Sequence, residues 1–140
     1  MRGTLHHVEL WVPHLDRAVS SFGWLLETLG YQPYQDWTHG RSWRLGDTYI
    51  VIEQSPDLSE PIHDRRQPGL NHLAFHVGDI GDLDSLVTAA ADHGWTLMFA
   101  DKHPNAGGSD HVAGYMENID GFEIELVADS PNERPTSSSS

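Results

Sequence analysis

Two stretches of this 140-residue chain carry the same order of events. "HVELWVPHLDRAVSSFGWLLETLGY" runs from His7 to Tyr31, and "HLAFHVGDIGDLDSLVTAAADHGW" from His72 to Trp95. Each opens with a histidine on an alternating apolar segment and passes a turn (Val-Pro or Val-Gly). Each then continues as an amphipathic stretch and closes on a glycine and an aromatic. The histidines lie 65 residues apart (7 to 72), and Gly30 and Gly94 lie 64 apart. A strand-like period followed by a helix-like one, repeated once, restricts the chain to two copies of one small α+β module.

The helices follow from spacing. Ala18, Val19, Phe22, Leu25, Leu26 and Leu29 keep a 3.6-residue period behind Asp16, which stands where a cap is wanted. Leu83, Leu86, Val87 and Ala90 do the same behind Asp82. Gly30 and Gly94 sit where a helix ends in a left-handed residue. Extended segments are predicted at 32–38, 41–45 and 48–54 in the first copy, and at 95–99, 111–117 and 122–127 in the second. The chain therefore reads as one domain over 1–128 made of two βαβββ repeats, 4–54 and 70–128. The polar, proline-rich segment 55–69 links them, and a low-complexity tail, 129–140, is expected to be disordered. The expected fold class is α+β, with the two repeats forming a curved mixed sheet around a central site.

Composition narrows the function. A formal charge of −13 would be repelled by phosphate backbones, which sets nucleic acid aside. No apolar run could span a bilayer and no signal-peptide pattern opens the chain, so a soluble, cytoplasmic protein without membrane attachment is expected. The absence of cysteine removes thiolate metal sites and cysteine nucleophiles, whereas ten histidines call for a chemical use.

Strand parity sorts the polar residues. Val8, Leu10 and Val12 face a helix, which leaves His7, Glu9 and Trp11 on the opposite face; His6 falls at the strand's fraying start. In "YIVIEQ" the opposite face holds Tyr49, Val51 and Glu53; in "NHLAFHV", His72, Ala74 and His76; in "GFEIELVA", Glu123 and Glu125. Each half thus offers a histidine on its first strand and a glutamate on its last. That donor set suits a divalent transition metal with positions left open for water or substrate.

These residues also carry a resemblance. "HHVELWVPHLDRAV", "YIVIEQ", "NHLAFHV" and "ENIDGFEIELV" resemble the strand and helix signatures of the vicinal oxygen chelate superfamily, the glyoxalase/bleomycin resistance/extradiol dioxygenase group, over residues 4 to 128. The resemblance implies His7, Glu53, His72 and Glu125 as metal ligands and a divalent ion such as Ni, Zn, Co, Mn or Fe(II). It implies an oxyanion stabilised on a small oxygenated substrate, with Glu125, or else Glu53, moving the proton. It also implies a homodimer.

The resemblance to glutathione-dependent glyoxalase I is incomplete. Trp11, Asp57 and Pro68 stand where that family carries an arginine, an asparagine and an arginine. A metal-dependent lyase or isomerase acting without glutathione is therefore the leading expectation. An extradiol-type dioxygenase and an aromatic-ligand or antibiotic-binding resistance protein are the alternatives. Glu9, Trp11, His76, His103, His111 and Tyr115 are candidates for substrate contact, with Glu9 equally readable as a rim carboxylate and His76 as a solvated histidine. Trp37 and Trp43 are either pocket walls or core. His103 and His111 bracket the glycine-containing loop "HPNAGGSDH", and Arg65 and Arg66 in "HDRRQ" are either carboxylate holders or surface.

Overall fold

Alternating residues place two kinds of face on every strand, and the helices decide which face is covered. In the computed structural model, which describes residues 1–129, the chain divides into two compact units. The boundary falls between His63 and Asp64, inside the segment predicted to be a linker. Each unit runs strand, helix, three strands, and builds a four-stranded mixed sheet, as expected for two βαβββ modules.

The first unit comprises β1 (His7–Trp11), β2 (Gln32–Trp37), β3 (Gly40–Leu45) and β4 (Thr48–Glu53), in the order β1-β4-β3-β2. β1 and β4 are parallel and the other pairs antiparallel. Leu10, Val12, Ile50 and Ile52 turn to the helical side and are buried with Phe22, Leu25 and Leu26. That apolar layer is the main source of the unit's stability.

The helical stretch departs from the predicted single helix. His14, not Asp16, caps it, its Nδ1 accepting from the Arg17 amide at 3.2 Å. α1 (Leu15–Ala18) then widens into a π-helical segment, Val19–Gly23, before α2 (Trp24–Thr28). Trp43 gives a physical reason for glycine in the wide turn. A Cβ on Gly23 would lie 3.0 Å from the indole, which is buried here and donates from Nε1 to Glu27 at 3.1 Å. Trp43 is thus a core residue rather than a pocket wall.

In the second unit β5 (His72–Gly78), β6 (Thr96–Met98), β7 (Ala113–Glu117) and β8 (Glu123–Ala128) form a sheet in the order β5-β8-β7-β6, again with one parallel pair, β5 and β8. α3 (Ile80–Ala90) is capped by Asp79, whose carboxylate accepts from the Asp82 amide while Asp82 returns the bond. Asp82 is therefore the third helical residue of a capping box rather than the cap itself. Leu83, Leu86 and Ala90 are buried with Trp95, Met116, Ile124 and Leu126. A short 3₁₀ turn ends at Gly94, whose φ of 86° needs a residue without a side chain. Among the described residues no helix is long and apolar enough to cross a membrane. Beyond residue 129 the predicted disordered tail lies outside the described residues.

Candidate functional site

β5 and β8 run parallel, with His72 opposite Glu123 and Ala74 opposite Glu125. Antiparallel pairing of β7 with β8 puts Tyr115 beside Glu125. All five side chains share the face turned away from α3, as their parity predicts. The small Ala74 leaves His72 free to lean across, and its Nε2 lies 2.9 Å from Glu125 Oε1. On the other carboxylate oxygen stands His111 Nε2, at 2.5 Å.

Glu125 is only 7% exposed, which would by itself push its carboxyl upward. Hydrogen bonds with His111 and His72, and their electrostatic pull, outweigh that burial and leave it below the usual carboxylate value. The Tyr115 phenol moves the other way. Burial raises it most, followed by the charge of Glu125, a hydrogen bond with Glu125 and the charge of Glu123. The loop from 99 to 112 closes against this group at Gly107, where a Cβ would fall 2.4 Å from the Tyr115 hydroxyl and 2.8 Å from His111 Cδ2.

Two more residues complete the surroundings of His72. Asn71 Oδ1 is 2.6 Å from His72 Nδ1, and Asn71 Nδ2 donates to the Arg65 carbonyl at 3.0 Å. Arg65 also places Nη1 3.3 Å from the buried Glu123. Arg65 is thus a partner for Glu123, whereas Arg66 pairs with Asp64 at 3.7 Å and is exposed. Asn71 did not stand out in the sequence, where its place beside His72 is the only signal, and Gly107 was there only as one glycine of the loop between His103 and His111.

Other candidates fall elsewhere. His76 is on the same face as His72 but solvated, its Nδ1 3.7 Å from Asp129. His103 lies against Gly114 together with Leu83 and Val87, on the α3 side of the sheet and not with Glu125.

In the first unit β1 and β4 pair in a register that sets His7 opposite Tyr49, Glu9 opposite Val51 and Trp11 opposite Glu53. His7 and Glu53 are therefore not brought together; four residues of strand separate them. Glu53 receives the Trp37 indole N–H at 3.3 Å. Counted from the two opening histidines, Val51 occupies the place that Glu125 takes in the second unit. His7 stacks on Tyr49 with ring centres 4.8 Å apart and planes 5° from parallel, and His6 abuts both edge-on. Trp11 donates to Glu9 at 2.6 Å. A cavity of about 390 Å³ opens on this face, lined by His7, Glu9, Gln35, Trp37, Tyr49 and Val51 among others.

Among the described residues no three His, Asp or Glu side chains are gathered into a group that could hold an ion. What the second unit holds is an imidazole and a carboxylate converging at 2.9 Å, donors whose chemistry fits a first-row divalent ion as part of its coordination sphere.

A sequence profile for the Glyoxalase/Bleomycin resistance protein/Dioxygenase superfamily matches residues 6–115. The chain belongs to that superfamily. This glyoxalase-superfamily chain is 39% identical over 127 residues to the uncharacterized protein YqjT of Bacillus subtilis (strain 168), covering 90% of this chain and 99% of that one. A Bacillus halodurans protein of known crystal structure, provisionally described as a glyoxalase, superposes with a TM-score of 0.86 at 40% identity over 91% of this chain and 97% of the other. The FosX fosfomycin resistance protein of Listeria monocytogenes, whose structure contains Mn(II) and sulfate, shares the fold at 17% identity. Its TM-score is 0.62, and the match covers 96% of this chain and 98% of that one.

Proposed function

We propose that this superfamily member is a metal-dependent lyase or isomerase of the glyoxalase type, acting on a small oxygenated substrate without glutathione. The observation that carries the reading is the convergence of His72 Nε2 and Glu125 Oε1 on the face of the second sheet turned away from α3. When bound there, a divalent transition ion would supply Lewis-acid stabilisation of a substrate oxyanion. His72 and Glu125 would hold it. His111 keeps the second oxygen of Glu125 occupied, and by family resemblance Glu125 is the residue that takes and returns a proton. By family resemblance His7 and Glu53 are the other two donors; the register of the first unit sets them four residues apart along the strand. Glu9 and Trp11, on the His7 face, and Tyr115, beside Glu125, are proposed to contact substrate. A homodimer is part of the same reading, and sedimentation showing a monomer would remove it.

A substrate other than a glutathione adduct is supported by Trp11, Asp57 and Pro68, which stand where the glutathione-dependent pattern has an arginine, an asparagine and an arginine. Elemental analysis of protein purified without a histidine tag tests the metal. About one transition ion per chain, lost in His72→Ala and Glu125→Ala, is the expected result. No ion in the parent, and none taken up on adding Mn(II), Ni(II), Zn(II) or Fe(II), would overturn the reading. The ring-lined cavity of the first unit favours a second reading, a protein that sequesters an aromatic compound. Tight binding of aromatic ligands by metal-free protein would select it.

A further inference from the structure

We propose that the cavity on the face of the first sheet turned away from its helices is a site for a small organic cation, a protonated amine or quaternary ammonium, held by Trp37, Tyr49 and Glu9. The inference rests on the reading that the His7 face contacts a small-molecule ligand, and it adds the charge of that ligand. At about 390 Å³ the cavity has the size of a small-molecule site. Trp37 is its first wall. Gly40 pairs with Glu53 across β3 and β4, and a Cβ on Gly40 would fall 2.4 Å from the Trp37 ring, so the indole packs over the sheet because residue 40 is glycine. The indole N–H donates to Glu53 at 3.3 Å. That bond fixes the ring and, because its acceptor is a carboxylate, polarises the indole towards a more negative face. Tyr49 is the second wall, set by its stacking on His7 at 4.8 Å and by the Tyr34 ring 5.2 Å away.

The fixed charges on this lining have one sign. Glu9 and Asp36 belong to it, and among the described residues no lysine or arginine does. Asp36 is paired with Arg41 at 3.1 Å, and the same guanidinium donates to the Trp37 and Gly40 carbonyls. Glu9 is not neutralised in this way. Its Oε2 accepts from the Trp11 indole at 2.6 Å, an uncharged donor that leaves the negative charge in place, and its Oε1 has no partner among the described residues. A carboxylate beside two electron-rich rings selects a weakly hydrated cation, which the negative ring faces attract and which gives up little water to reach them. An anion would be repelled by Glu9, and a neutral ring would gain nothing from it. The first sheet already holds one such pair, with Arg44 Cζ 5.2 Å over the Tyr34 ring. The formal charge of −13 draws cations to the surface from a distance.

The test is calorimetry on the full-length, metal-free protein at low salt. Choline is compared with tert-butylethanol, its isostere with carbon in place of the quaternary nitrogen, and with p-cresol as a neutral ring. Choline is expected to bind saturably and about tenfold tighter than the isostere, the preference that ring faces and one carboxylate give a cation. Glu9→Gln should shrink that preference to less than about threefold while leaving the isostere's affinity alone, since only the charge is removed. Trp37→Leu should weaken choline binding about tenfold, and Trp37→Phe, which keeps a ring, clearly less. Far-UV dichroism confirms that the variants fold; if Trp37→Leu does not, Trp37→Phe and Glu9→Gln decide. No saturable choline binding, equal affinity for choline and the isostere, or a preference untouched in the folded Glu9 and Trp37 variants overturns the inference. Tighter binding of p-cresol than of choline also overturns it and selects the neutral aromatic ligand instead. Metal uptake is measured on the same protein. Uptake without a preference for choline removes this inference and leaves the metal reading standing, whereas the preference without uptake does the reverse.

Discussion

Glu125 accepts from both sides of one sheet face, with His72 2.9 Å from one carboxylate oxygen and His111 2.5 Å from the other. Fifty-three residues separate Glu125 from His72 and fourteen separate it from His111, so only the paired β5, β7 and β8 strands and their loop bring the three together. The carboxylate's hydrogen-bonding capacity is largely spoken for by imidazoles, which explains its low proton affinity despite burial.

The two glutamates on the last strands of the units should differ in kind. Glu125→Gln removes the charge between two histidines and is expected to abolish stoichiometric metal uptake. Glu53→Gln leaves a group that still accepts from the Trp37 indole and stands four residues along the strand from the register partner of His7. It is expected to change metal affinity by less than about threefold, roughly 0.7 kcal/mol. Equal losses in the two variants, measured by titration with the same ion, would contradict this.

Gly107→Ala tests the loop closure. The added methyl would meet the Tyr115 hydroxyl and the His111 ring closer than van der Waals contact allows, so the loop or these side chains must shift. The expected outcome is loss of the His111–Glu125 hydrogen bond with little change in global stability. It would be seen as a shift of the Tyr115 and His111 ring resonances and a weaker metal complex. Unchanged ring resonances would mean that the loop does not pack there.

Two titrations should change stability in opposite pH ranges. Glu125 is depressed in the folded state, so its contribution is present above the usual carboxylate value of 4.5 and is lost as pH falls through its folded value. Tyr31 is raised by burial. Unfolded tyrosine gives up its proton near 10, the folded one later, so stability is full below about 10 and declines as pH rises through the folded value. Urea midpoints across pH, with Glu125→Gln and Tyr31→Phe as controls, check both signs. The acid-side loss should shrink in the first variant and the alkaline-side loss in the second.

Asp79→Ala removes the acceptor for the Asp82 amide at 2.9 Å and breaks both halves of the capping box. A cost of about 0.5–2 kcal/mol is expected, read as a lower urea midpoint with an unchanged slope. Asp16→Ala, at the residue first expected to cap α1, should cost clearly less, because His14 is the residue that accepts there.

The sequence by itself determined the two βαβββ modules, because alternation, helical period and the paired glycines are local signals that tertiary structure had no reason to override. It also determined the faces. His7, His72 and Glu125 were legible as outward from the helices since period 2 admits only two sides. Tertiary structure decided the register, which parity cannot supply. A shift of two residues keeps a side chain on its face yet moves it a full pleat along the strand. That is why parity put Tyr49, Val51 and Glu53 on one face without telling that Glu53 stands beside Trp11 and not beside His7. It also decided Trp43, drawn into the core by the glycine beneath it, and His103, carried by its loop to the α3 side. The partners of His72 were beyond the sequence for the same reason, since the hydrogen bond that holds Asn71 beside it depends on where the Arg65 carbonyl lies in space.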